Sequence, residues 1–339
     1  MTFFIICDRI NTDLSQKGVE QTLLLPQKLN PAFKDYIWGG TKLKEQFSKS
    51  CSFEKIAESW ELSCHEDGPS VIAGSNQTLT EYIKENGKEI LGTNCSRFDS
   101  FPVLIKLIDA SDDLSVQVHP DNRYALEHEG EYGKTEMWYI VDCEEGASLI
   151  YGLSSNITKE EFSESIKNNT LLDKVKKVPV KKGDVFFIKS GTLHAIGKGI
   201  VIAEIQQNSN TTYRIYDYGR KDKNGNEREL HIDKACEVTD LCPAEPCPCN
   251  EPCISEGHSS RLLSSCEYFT VHLVDITEKA DFDTDRTSFE HLLIIEGRGT
   301  LESQNYHTDL KKGDSLFIPA GYGRFTVKGN CLIIKTRID

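Results

Sequence analysis

The chain of 339 residues lacks a long apolar run and lacks any excess of positive charge. No stretch approaches the roughly 20 apolar residues that a membrane span requires. The start, MTFFIICDRINTDL, carries a short apolar run without a positive leader or a cleavage pattern. Export is therefore not expected, and a cytoplasmic location is. Lysine and arginine number 39 against 53 acidic residues, a formal net charge of −14. No basic stripe interrupts that balance, so neither a nucleic-acid nor a membrane partner is expected. G-x-S-x-G, a P-loop and a G-x-G-x-x-G opening a helix are all missing, which removes triad hydrolases, P-loop NTPases and Rossmann enzymes. The twelve cysteines include no paired CxxC; Cys242, Cys247, Cys249 and Cys253 are spaced unlike a zinc ribbon. They read as reduced thiols in a proline-rich loop.

What is present is the composition of a soluble globular protein, 38% apolar and 27% charged, long enough for two domains. Residues 1–22 show little pattern and form an N-terminal extension. A helix is predicted over 78–91, with Leu79, Ile83, Ile90 and Leu91 as its apolar stripe and Gly92 after its end. From residue 101 the character changes to short apolar or alternating runs: FPVLIKLIDA, LSVQVHP, TEMWYIVD, DVFFIK and TYRIYDY. Such runs separated by turn residues predict a β sandwich or barrel. A helical insertion at 158–168 opens with the capping-box pair Thr158 and Glu161. Residues 241–262 form a Cys/Pro-rich linker whose proline density no regular element tolerates. Strand patterns then resume at 268–276, 290–302 and 331–337. The expected division is 23–240, 241–262 and 263–339.

One motif occurs twice. KKGDVFFIKSGTLHAIG (181–197) and KKGDSLFIPAGYGRFTV (311–327) share Lys-Lys-Gly-Asp, an aromatic-rich strand and a turn containing Gly. The first copy carries His194 after its turn, whereas the second carries Arg324. That asymmetry suggests duplicated β units, one functional and one structural.

Three segments offer ligand-type side chains. In SVQVHP, Leu114, Val116 and Val118 fall on one strand face, and Ser115, Gln117 and His119 on the other. Alternation alone leaves open whether that polar face meets water or a site. In GKTEMWYI, Lys134, Glu136 and Trp138 share a face, and His194 follows the Ser190-Gly191 turn. Singly, each is an ordinary hydrogen-bonded or solvated residue. Jointly, two histidines, a carboxylate and an amide oxygen form a mixed N/O set suited to Zn²⁺, and also to Fe²⁺, Mn²⁺ or Co²⁺. In EIQQNSNTTYRIYDYGR, Glu204 and Gln206 share a face, as do Thr212, Arg214 and Tyr216. An Arg there can take an oxyanion or phosphate, or merely a surface salt bridge. RKDKNGNERELH reads as a charged hairpin turning at Asn224-Gly225, with Arg220 and Arg228 as secondary phosphate contacts.

IWGG (37–40), ESWELS (58–63), SVQVHPDN (115–122), YGKTEMWYI (132–140), GTLHAIG (191–197) and EIQQNSNTTYRIYDYGR (204–220) together resemble the type I mannose-6-phosphate isomerases, in their short bacterial form. The likeness runs from about 23 to 240, then more loosely to the end. The resemblance implies an all-β-dominated fold of two cupin-type β-barrels with helical insertions. It implies one Zn²⁺ per chain, ligated by His119, Glu136 and His194 with Gln117 as a further ligand. Arg214 and Lys134 would be catalytic, with Lys134 and Ser115 at a small-molecule sugar phosphate. The implied reaction interconverts mannose 6-phosphate and fructose 6-phosphate through a cis-enediolate; oligomeric state is left open, a monomer included. A non-haem iron oxygenase and a non-catalytic sugar-phosphate sensor are the other readings of the same set. Lys189-Ser190 stands where most relatives have Pro-Ala, which predicts a looser turn before His194.

Overall fold

A computed structural model describes residues 24–221, 225–248 and 250–339. The extension 1–22, Asn224 of the charged hairpin and Cys249 of the linker lie outside the described residues. The first strands are β1 (Gln27–Asn30), β2 (Ala32–Lys34), β3 (Glu58–Leu62), β4 (Val71–Ile72), β5 (Val103–Ala110), β6 (Val116–Val118) and β7 (Glu136–Cys143). Then follow β8 (Ser148–Leu153), β9 (Val175–Pro179), β10 (Val185–Ile188), β11 (His194–Ala195), β12 (Ile200–Gln207) and β13 (Tyr213–Tyr216). The C-terminal part adds β14 (Cys253–Ser255), β15 (His258–Ser265), β16 (Thr270–Ile276), β17 (Lys279–Thr284), β18 (Glu290–Glu302), β19 (His307–Lys311), β20 (Ser315–Ile318) and β21 (Gly323–Arg337). Helices α1 (Lys42–Phe47), α2 (Leu79–Asn86), α3 (Asn122–His128), α4 (Lys159–Lys167) and α5 (Ile232–Val238) are insertions between them.

The strands make a six-stranded sheet in the order β10-β7-β12-β5-β3-β2 and a five-stranded sheet, β13-β6-β11-β8-β9. A ten-stranded sheet gathers the C-terminal strands, with β1 pairing β20 at its side. The fold is thus β-dominated as expected, built from open strand paths.

The central strands β5, β7 and β12 explain the short continuous apolar runs, because they are covered on both faces. Their alternate residues Val103, Ile105, Leu107, Met137, Tyr139, Val141, Val201, Ala203 and Ile205 enter a core shared with Leu293, Phe317 and Ile334 of the C-terminal sheet. The opposite faces, with Ile108, Trp138, Ile140 and Ile202, line a second interior with Leu149 of the five-stranded sheet and Ile196 just after β11. That sheet's outer face, Val116, Val118, Ala195 and Tyr213, packs under Phe162 of α4 and Ala235 of α5.

Several local expectations are adjusted. The helix over 78–91 begins as predicted, with a Thr78/Glu81 capping box, but stops at Asn86. Gly87 takes φ 88°, a left-handed conformation that ends the α ladder, and a 3₁₀ turn spans Lys88–Leu91. The Thr158/Glu161 box does cap α4. The second half of the Cys/Pro segment is regular: β14 and β15 form an antiparallel hairpin. Its prolines end at Pro252, so none blocks a ladder N–H there. No helix among the described residues is long and apolar enough to cross a membrane.

Candidate metal centre and active site

The polar face of SVQVHP looks inward. Val116 and Val118 point out beneath the helices, while Leu114, just before β6, joins the interior cluster. On the inner side, cross-strand register sets Gln117 opposite both His194 on β11 and Arg214 on β13. His119 follows β6, and its carbonyl accepts the Gly191 N–H at 2.8 Å. Thr192 N–H closes the turn onto Lys189 O at 3.0 Å, so the backbone at Lys189-Ser190 is held without the Pro-Ala pair. Across the interior, Glu136 opens β7.

The nearest donor atoms of His119, Glu136 and His194 all lie within 4.8 Å of one another. His119 Nε2 is 3.7 Å from Glu136 Oε2, and His194 Nε2 is 3.5 Å from Oε1. All three side chains are buried. Each imidazole is oriented through its other nitrogen: His119 Nδ1 donates to Thr211 O at 2.9 Å and His194 Nδ1 to Thr192 O at 2.8 Å. Those bonds leave both Nε2 lone pairs facing the shared space, the arrangement typical of metal-binding histidine. Gln117 Nε2 sits 3.3 Å from His194 Nε2; a half-turn of the amide presents its oxygen there instead.

Electrostatics agree with the geometry. Burial, with Lys134 and His194 adding to it, pushes His119 well below its ordinary value, and burial brings His194 down to about 4. Both rings are thus neutral and able to donate lone pairs. Burial and then the nearby Glu204 carboxylate push Glu136 up to about 8. His119 Nε2 and both Glu136 oxygens are buried without a hydrogen-bond partner, although Lys134 Nζ approaches Glu136 Oε2 at 3.0 Å. The loop carrying Lys134 is seated by Gly133, where a Cβ would come 2.3 Å from the Asp121 backbone. Lys134 N–H then donates to Pro120 O at 3.0 Å, tying this loop to the residue after His119.

Ser115 is buried two residues before Gln117. Arg214 is half-buried, with Nη1 donating to Glu229 O at 3.0 Å. Arg228 grips Asp217 with bonds of 2.6 and 2.7 Å, and Arg220 reaches the same carboxylate. Two guanidiniums therefore share one acid near β13, with Arg214 on the strand itself. Among the described residues, the linker cysteines build no metal cluster; the only group is His119, Glu136 and His194.

Sequence reasoning set Glu204 on a face with Gln206 but missed the buried charged row it belongs to behind this site. Lys106 Nζ on β5 lies 3.5 Å from Glu58 and 3.4 Å from Glu204. Trp60 and Trp138 donate to Glu58 and Glu204 at 2.6 and 2.9 Å. Burial alone would lower Lys106, but the two carboxylates outweigh it and raise it. The available signal was a single Lys inside VLIKLIDA and a single Glu inside IVIAEIQ, each on the inward phase.

Comparison with known proteins converges on one family. The model for "Phosphomannose isomerase type I, catalytic domain" matches residues 26–147, and that for "Mannose-6-phosphate isomerase, cupin domain" matches 259–338. The chain is 39% identical to a Bacillus subtilis mannose-6-phosphate isomerase, over 91% of this chain and 98% of that protein. Identity to the Streptococcus mutans mannose-6-phosphate isomerase is 40%, covering 88% and 93% respectively. The crystal structure of the mannose 6-phosphate isomerase from Bacillus subtilis superposes with a TM-score of 0.88 at 39% identity, over 93% of this chain and all (100%) of that one. A mannose 6-phosphate isomerase solved with zinc and yttrium shares the fold at 18% identity and a TM-score of 0.75, over 93% and 100% of the two chains.

Proposed function

The chain belongs to the type I phosphomannose isomerase family, and we propose that it interconverts mannose 6-phosphate and fructose 6-phosphate using one Zn²⁺ held by His119, Glu136, His194 and Gln117. The observation that carries this reading is the buried trio itself, with His119 Nε2 and Glu136 Oε1 left without a hydrogen-bond partner. Leaving such atoms dry and unpaired is costly, and a divalent cation would satisfy them together. Two neutral imidazoles, one carboxylate and an amide oxygen suit zinc. When bound, the ion would supply Lewis-acid polarisation of the sugar oxygens.

The remaining chemistry belongs to side chains. The isomerisation moves a proton between C1 and C2 through a cis-enediolate, which needs an acid/base group and positive charge where the oxyanion develops. Lys134, buried beside Glu136, is the group we assign to carry the proton. Arg214, set in register with Gln117, stabilises the enediolate oxygens. Arg220 and Arg228, gathered on Asp217, are the secondary candidates for the phosphate. Ser115 lies further along the same strand face, toward the sugar.

A coupled assay for fructose 6-phosphate formation, run before and after chelation and zinc restoration, tests the proposal. Activity that survives thorough chelation would remove the metal. An absence of fructose 6-phosphate under all conditions would remove the isomerase reading. Near-normal turnover in Lys134→Ala, with Arg214→Ala inactive, would strip Lys134 of its role.

A further inference from the structure

His65 and Glu131 take no part in the chemistry assigned above, yet they sit in a connected network next to it. His65 is buried and its Nε2 lies 2.8 Å from Glu131 Oε1. Its Nδ1 accepts the Asp67 N–H at 3.1 Å, which places the ring proton on Nε2, donating to Glu131. Glu131 also accepts the Asn210 N–H at 3.1 Å and the Thr211 hydroxyl at 2.8 Å. Burial alone would raise the Glu131 carboxyl, but the bonds from His65, Thr211 and Asn210 hold it below the usual carboxylate range. Asn210 Nδ2 adds a bond to Asp67 at 2.8 Å.

The far end of this network is the metal site. The carbonyl of Thr211 is the acceptor that orients His119. The two candidate ligand histidines differ here. His194 donates to Thr192, two residues away inside its own hydrogen-bonded turn. His119 donates to a residue 92 positions distant, in the loop between β12 and β13. A remote carbonyl holds a ring in place only if its own loop is fixed. Ser209 ties the loop from within, its hydroxyl accepting the Thr211 N–H at 3.2 Å, and Glu131 ties it from outside by taking one backbone and one side-chain donor from consecutive residues.

We propose that Glu131, seated by His65, is a positioning residue for His119: it clamps residues 210–211 so that the Thr211 carbonyl keeps the His119 Nε2 lone pair aimed at Glu136 and His194. The inference rests on the metal reading above. Its test is metal affinity rather than turnover. The full chain is stripped of metal, then titrated with Zn²⁺ against a chromophoric chelator; a parallel sample is loaded with Co²⁺ for its visible spectrum. Glu131→Ala should weaken zinc binding by roughly 10- to 100-fold and shift the cobalt bands, the size expected for loss of a group that orients a ligand. Thr211→Val keeps the carbonyl but loses the hydroxyl, and should give a smaller loss of the same sign. Glu131→Gln and His65→Gln, which retain an acceptor and a donor, should recover most of the affinity. Zinc affinities within about twofold of the unmodified chain in Glu131→Ala and Thr211→Val would overturn the proposal, whatever their melting temperatures. If Glu131→Ala does not fold, Thr211→Val decides on the same criterion. An unmodified chain that binds neither metal would overturn the metal reading itself, a result distinguishable from equal affinities.

Discussion

The two copies of the KKGD motif put the same local structure to different ends. In both, the Asp accepts the N–H of the first Lys: Asp184 from Lys181 at 2.9 Å, Asp314 from Lys311 at 3.1 Å. In both, the Gly takes a left-handed φ, 94° at Gly183 and 91° at Gly313. The strands that follow, β10 and β20, each end opposite a buried glutamate: Ile188 pairs with Glu136 and Ile318 with Glu290. There the copies part. Glu136 faces two neutral histidines and Lys134, whereas Glu290 is met by Lys335 at 2.8 Å with Thr284 at 3.3 Å. The position of His194 is Arg324, whose side chain is 90% exposed and lies 3.5 Å from Asp283. Around Glu290 the C-terminal interior is filled with Leu292, Ile294, Leu316, Ile318 and Phe325. Both carboxylates have a lysine at hand, Lys134 at 3.0 Å and Lys335 at 2.8 Å, but only Glu136 is also faced by two imidazoles whose donor atoms converge on it. The same strand frame therefore supports a ligand site or a plain core, according to what opposes one glutamate.

The sharpest way to break that contrast is to make the same substitution in each copy. Glu136→Gln should abolish zinc retention and reduce isomerase turnover by at least about 10³-fold. Glu290→Gln should do the reverse. It strands Lys335 without its partner and should cost on the order of 3 kcal/mol in denaturant unfolding, with activity per folded molecule retained. Loss of activity in folded Glu290→Gln would end the division of labour. The arginines give a second pair. Arg214→Ala should lower kcat by about 10²- to 10³-fold, as expected for removal of a group stabilising a developing oxyanion. Arg324→Ala, at a solvated side chain, should change stability by less than about 0.5 kcal/mol.

How much of this was legible in the sequence follows from where the information sits. His119, Glu136 and His194 could be picked out because each is a polar residue on a strand phase or turn that otherwise reads apolar. Their convergence was not legible: Glu136 comes from one sheet and the histidines from another, and only the facing of the two sheets brings their donors within 4.8 Å. The family resemblance stood in for that missing geometry. Lys106 and Glu58 were overlooked, and Glu204 was noted without these partners, because a single charge in a strand usually marks an exposed edge. Here both faces of β5 and β12 are covered, which no periodicity within one segment reveals. The β14–β15 hairpin was hidden by the composition of its neighbours, since prolines up to Pro252 masked a proline-free ladder beginning at Cys253.

Histidine burial gives a further comparison, in acid. His291, on β18, is buried with Nε2 bonded to Ser315 at 2.8 Å and Nδ1 unpartnered. Burial, and then Lys49, bring it down to about 3. The unfolded chain binds that proton near pH 6.5, so between about 6.5 and 3 the unfolded state carries the extra proton. Its stability contribution is complete above pH 6.5 and falls as pH drops, by up to about 1.4 kcal/mol per pH unit. His291→Gln should flatten the acid limb of unfolding free energy between pH 6.5 and 4.5 while leaving zinc affinity untouched. His119 and His194 have the same sign, and because their neutral rings would hold the ion, zinc affinity should also fall as pH drops. An unchanged acid slope in His291→Gln would remove this residue from the account.

The smallest effect tests the motif shared by both copies. Asp184 and Asp314 each close a turn by accepting one backbone N–H, a bond whose net worth is about 1 kcal/mol. Asp314 has one more role. Its Oδ2 also takes Lys28 Nζ at 2.8 Å, fastening β1 to the C-terminal sheet. That ion pair is partly exposed, so it adds less than about 1 kcal/mol. Asp314→Ala should therefore lose slightly more stability than Asp184→Ala, and the excess should shrink in high salt while the Asp184→Ala loss does not. Neither should change kcat/KM by more than about twofold, because the turn sets a strand and touches no group of the site. If Asp184→Ala instead loses zinc affinity with unfolding unchanged, the turn before β10 is tuning the ligand strand. The two copies would then differ in their turns as well as in their interiors.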